Sequence, residues 1–192
     1  MKRARILVAA LAFFAPNQAH AARVTDHTDL TVDIDPAGAS VCHFTDAGPV
    51  DVRGCNDAEK LTLSNVRALE PNAFAALVLH YPGYQTSITV TKAAAQHGAP
   101  DLAAYRQNMQ SRMAGTRMQM ADAPRLVQGQ NGLPIIVSAI RNPELDLVTR
   151  TLEVRARGAT YRILFSVTGP HAQDVAALAE RTAKTVVAHP AQ

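Results

Sequence analysis

The chain has 192 residues, with 19 Lys and Arg against 16 Asp and Glu. That length suits one domain with a real core. Five Phe, four Tyr and no Trp leave out the aromatic platforms on which sugar-binding and single-strand-binding modules depend.

Residues 1–22 read as a secretory signal peptide. Lys2, Arg3 and Arg5 form a positive start, Ile6 to Ala15 is an apolar run, and Ala19-His20-Ala21-Ala22 supplies small residues around a cut. The run is about half of the ~20 residues that a spanning helix needs. Cleavage is expected after Ala21 or Ala22, with an uncleaved anchor as the alternative. The working protein is therefore expected to be periplasmic or secreted. The signal carries three of the basic residues and none of the acidic ones, so the two signs balance in what remains. Neither nucleic acid nor anionic membrane is implied as a partner. No later segment is apolar and long enough to be a transmembrane helix.

Residues 23–60 are polar and mixed, and read as an N-terminal strand and disulfide loop region in one globular domain with residues 61–192. Thr31-Val32-Asp33-Ile34-Asp35 alternates like a strand with one wet face. Asp26, Asp29, Asp33 and Asp35 are close together, but no DxDxDG calcium loop follows. Cys42 and Cys55 are the two cysteines. In an oxidising compartment an even pair is most simply a disulfide. Its 14-residue loop holds Gly48, Pro49 and Gly54 and little apolar content, and closure would contribute about 3 kcal/mol. The competing reading is a metal site using Cys42, His43 and Cys55, which lacks the usual ligand spacings of zinc.

Residues 61–92 read as three strands. The first starts with Leu61, Leu63 and Val66; Phe74 to Tyr81 is apolar enough to be central; Ser87 to Lys92 alternates, with β-branched residues in four of six places. Pro82-Gly83 turns the chain between the last two. Asp101 to Met113 reads as a helix with Asp101 as N-cap. Its Leu102, Tyr105, Met109 and Met113 form one stripe, expected to pack into the core. A strand meander follows. Arg125 to Gln128 leads through Asn131-Gly132 to Leu133–Arg141, and Asn142-Pro143-Glu144 to Leu147–Arg157. Gly158-Ala159 then turns into Thr160–Thr168. Gly169-Pro170 opens a closing helix whose Val175, Leu178, Ala179, Thr182, Ala183 and Val186 form a face that must lie on the sheet. The fold class expected is α+β, an antiparallel sheet with a strand meander and packed helices.

From about residue 72 to 188 this order resembles the PsbP-like and DcrB-like group of small exported α/β/α sandwich proteins. The matching stretches are Phe74–Pro82, Ile88–Val90, Asp101-Leu102 with Tyr105, the Val127–Ile136 hairpin, and Tyr161-Arg162-Ile163-Leu164-Phe165. The resemblance implies a binding or assembly role. It carries no site motif, and members of such a fold serve unrelated partners.

Chemistry-bearing motifs are absent: no GxSxG, P-loop, GxGxxG or HExxH. His20 leaves with the signal, and His27, His43, His80, His97, His171 and His189 are dispersed. His80, near the end of an apolar strand, reads as a local strand cap and His171 as a neutral surface group at a helix start. No cofactor is expected. Glu153, Arg155 and Arg157 share one strand face by parity, with Arg150 on the other. They read either as a solvated face with an Arg–Glu pair or as a recognition surface for an acidic protein patch. The function expected is that of an exported, non-enzymatic protein that binds a protein partner or assists an envelope complex, a toxin-neutralising immunity protein being one form of this. The alternative is a small exported hydrolase whose Ser, His and Asp assemble in space.

Overall fold

The computed structural model describes residues 22–26, 29–35, 37–45, 55–69, 72–94, 100–156 and 158–189. Among the described residues a seven-stranded sheet and a three-stranded sheet, both antiparallel, combine with three α-helices into an α+β sandwich.

The small sheet pairs β1 (Ala22–Asp26) with β2 (Leu30–Ile34), and β2 with β10 (Val187–Ala188). In β2, Leu30, Val32 and Ile34 are buried while Thr31 and Asp33 face outward, as the alternation requires. Asp33 takes two hydrogen bonds from the Arg23 guanidinium.

The large sheet runs in the order β3 (Ser40–Thr45), β4 (Ala73–Tyr81), β5 (Tyr84–Ala94), β9 (Ala159–Thr168), β8 (Leu147–Ala156), β7 (Pro134–Asn142), β6 (Gln119–Gln128). Consecutive strands β6 to β9 form the expected meander. β6 is longer than Arg125–Gln128, and its register shifts at Met120/Asp122 and Asp122/Arg125. Those irregularities break the alternation by which a strand is recognised.

Residues Leu61, Leu63 and Val66 do not start a strand. They lie in α1 (Asp57–Leu69), so residues 61–92 hold two strands and the end of a helix. The helix start is fixed by Asn56 and Glu59. The Glu59 N–H donates to Asn56 Oδ1 at 2.9 Å and the Asn56 N–H to Glu59 Oε2 at 2.7 Å. This is a capping box, and the helix crosses the boundary expected at residue 60. Leu63 buries against Cys42, Ala76 and Val78.

The two faces of the large sheet are covered differently. On the inner face Leu77, Ile88, Ile163, Leu152 and Val137 meet the small sheet and α3 (Ala172–Ala183) in one core. The expected face of α3 is the buried one: Val175, Leu178, Ala179, Thr182 and Ala183. A 3-10 turn, Gly169–His171, precedes it. On the outer face lie α1, beside β3 and β4, and α2 (Leu102–Met113), whose nearest strand neighbour is β6.

Candidate functional site

Asp101 caps α2, its Oδ1 accepting from the N–H groups of Ala103 and Ala104. The apolar stripe of α2 is not core. No α2 residue is buried; Leu102, Tyr105, Met109 and Met113 are half-buried and the rest exposed. Four apolar residues among polar ones cannot draw the helix into tight contact. One polar link to the sheet is a hydrogen bond between the Tyr105 hydroxyl and Ser138 Oγ of β7, at 3.1 Å. Burial pushes the Tyr105 hydroxyl above its ordinary range, so it stays neutral.

The helix stands over the outer face and leaves a groove with two chambers. One, of about 140 Å³, is lined by Asp101, Asn108, Glu153, Arg155 and Arg162, among others. The other, of about 280 Å³, is lined chiefly by Thr91, Met113, Ile140, Thr151 and Leu164. Tyr105, Met109, Arg112 and Arg162 line both.

Glu153 is the floor of the polar chamber. It sits opposite Arg162 in the β8–β9 register, and its Oε2 accepts from Arg162 Nε at 2.9 Å. Arg155 Nη2 lies 3.9 Å from Glu153 Oε1. The Glu153 side chain is 2% exposed, so this face is not the solvated one that parity alone allows: α2 covers it. Glu153 and Arg155 do share a face and both line the groove. Arg157 lies outside the described residues. Arg150 is on the opposite face, as parity predicts, buried and donating to Asp122 Oδ2.

Other expected features fall elsewhere. Cys42 and Cys55 stand at disulfide distance, their Cα atoms 5.3 Å apart. Glu59 brings a carboxylate oxygen within 4.8 Å of both sulfurs, but that carboxylate is held by the helix cap, and the side chain of His43 lies outside the described residues. His80 is exposed, with Nδ1 3.6 Å from Glu59 Oε1. His171 stacks on Tyr84 and its Nδ1 lies 3.1 Å from Asp174 Oδ2. His189 Nε2 meets Thr31 Oγ1 at 2.8 Å. Neither His80, His171 nor His189 lines the groove.

Sequence reasoning missed the groove contributions of Tyr105, Arg112 and Arg162. The signal was present in the weakness of the α2 stripe: a helix with so little apolar surface, laid over strands carrying Glu153, Arg155 and Arg162, has polar groups beneath it.

No family model and no curated protein matches the chain. Among solved structures, a Pseudomonas aeruginosa protein of unknown function, PA94, is similar over 90% of this chain and 100% of its own, at 13% identity and a TM-score of 0.46.

Proposed function

We propose that this is an exported protein, periplasmic or secreted, that binds another protein without catalysing a reaction, and that the groove under α2 is where it binds. The observation that carries the reading is the loosely seated α2 over a buried Glu153 flanked by guanidinium groups. A helix serving only to cover the sheet would bury its stripe. Pockets of this kind, with a few convergent polar groups beside an apolar chamber, are the ordinary form of a binding site. Export is supported by the leader pattern and by the cysteine pair. Immunity or envelope assembly would be the cellular use of such binding, and the PsbP-like and DcrB-like resemblance belongs to the same proposal.

The test is site-directed photocrosslinking in the exporting cell. A crosslinker at Asn108 on the groove rim should give a discrete protein adduct. One at the exposed Leu61 of α1 should not. Equal adducts from the two positions, or none from Asn108, would defeat the binding assignment. The intact mass of the exported chain checks the leader: it should begin at Ala22 or Arg23, and a mass retaining Met1 would defeat the cleavage and make the protein membrane-anchored.

A further inference from the structure

Glu153 and Arg112 both line the polar chamber. Glu153 is almost fully buried, and its Oε1 has no hydrogen-bond partner. A buried carboxylate oxygen that accepts no hydrogen bond carries a real desolvation cost. Oε1 is closed to water, with Arg155 Nη2 3.9 Å away, so a donor that enters the chamber Glu153 lines reaches it by displacing what shields it. Arg112 of α2 lines both chambers, and among the described residues no carboxylate pairs with it. Around the groove Arg112, Arg155 and Arg162 stand against Asp101 and Glu153, so the lining carries one excess positive charge. Beyond Met109 the second chamber is walled by Met113, Ile140 and Leu164. Methionines are adaptable walls for apolar groups of varied shape.

We propose that the groove takes the free C-terminus of a polypeptide whose last residue is large and apolar. The terminal carboxylate pairs with Arg112, whose planar fork suits a carboxylate. The N–H of the last residue donates to Glu153 Oε1, and the last side chain enters the apolar chamber. A polypeptide terminus places an N–H donor, one negative charge and a side chain on adjacent atoms, which matches the three features in kind. A fatty acid has the charge but no N–H. Its chain also outgrows the site: a cavity of about 150 Å³ holds a benzene ring, so the chamber of about 280 Å³ accommodates one large side chain. A free amino acid is net neutral and would leave the excess positive charge unmatched. This inference rests on the groove being the site for a protein partner.

The experiment uses the mature, oxidised protein and two short-peptide libraries randomised at their last positions. One library ends in a free carboxylate and the other in an amide. The free-carboxylate library should be retained with Leu, Met or Phe enriched at the last position. Amidating a selected peptide should weaken binding by about tenfold or more, as loss of a charge-assisted contact does. Arg112→Ala should do the same without altering the unfolding midpoint, since Arg112 is exposed, and Arg112→Lys should restore part of the affinity. Equal retention of both libraries, no selection at the last position, or retention of decanoate or free leucine in their place would each overturn the inference. If neither library binds while Asn108 still crosslinks to a protein, the inference fails and the protein-binding reading stands. If Asn108 gives no adduct either, both fail.

Discussion

Tyr81 and Tyr84 flank Pro82-Gly83, a turn that is plain in the sequence. What the turn does with its two rings is not. The Tyr81 and Tyr84 rings stack with centroids 4.7 Å apart, and Tyr84 stacks on His171 at 3.9 Å. Stacking ties the β4–β5 hairpin to the start of α3. Burial, helped by Tyr84, Asp35 and Asp174 and opposed by Arg181, pushes the Tyr81 hydroxyl up to about 12. In the unfolded chain it ionises near its ordinary value of about 10. The unfolded state therefore loses this proton first as pH rises. The contribution is fully present below about pH 10, and it is lost progressively as pH climbs through about 12. The urea midpoint should accordingly drop over that window, and less steeply in Tyr81→Phe. Part of the drop should remain, because burial also raises Tyr84 and Tyr105. An identical drop in the variant would mean that Tyr81 ionises as freely in the folded protein as in the unfolded one.

At the scale of elements, legibility follows how local the signal is. The meander and α3 were readable because turns and apolar faces repeat within a few residues. The N-cap of α2 was readable for the same reason. The α1 segment from Leu61 through Val66 mimics a strand because Leu61 and Leu63 alternate, while the deciding signal, Asn56 with Glu59 three residues on, lies just before them. Strand β3 carries no strand signature because its apolar residues, Val41, Cys42 and Phe44, do not alternate; pairing with β4 holds it in place. Glu153 and Arg155 could be placed on one face by parity, but nothing local says that α2 lies over them. The Cys42–Cys55 link joins β3 to the entry of α1, where Cys42, Leu63, Ala76 and Val78 form a small core apart from the main one. Replacing both cysteines by Ser should cost about 3 kcal/mol from lost loop closure, the chain-entropy value for such a loop, plus the desolvation of a Ser hydroxyl at the buried position 42. Hydrogen exchange should rise in β3 and α1 and stay slow in β7, β8 and β9, whose apolar residues belong to the larger core. Uniformly faster exchange across the large sheet would show that the two cores are not separable. Free thiols under native alkylation would remove the staple altogether.

Across the whole molecule, the inner face of the large sheet is closed by α3 and the small sheet, and one close approach registers that closure. Gly129, between β6 and the 3-10 turn Gln130–Gly132, lies against the end of α3. The N–H of Gln130 donates to the Val186 carbonyl at 3.1 Å, and Gly129 N–H to the Leu133 carbonyl at 2.8 Å. A Cβ at position 129 would stand 2.9 Å from Ile135 Cδ1, 3.1 Å from the Val186 oxygen and 3.2 Å from the Ala183 oxygen. Ile135 is fully buried in the main core, so its methyl has little space to retreat into. The two carbonyls belong to the segment that runs from α3 into β10, and moving them disturbs the pairing of β10 with β2. The backbone conformation at Gly129 is ordinary, with φ −78°, so contact and not strain at that residue decides the outcome. Gly129→Ala should therefore destabilise the fold by about 1–3 kcal/mol, the usual range for overpacking. The loss should appear as faster hydrogen exchange at the end of α3 and in β2 as well as a lower urea midpoint. An unchanged midpoint, or exchange rising only in the β6–β7 turn, would mean that this approach does not couple the hairpin to α3 and the small sheet.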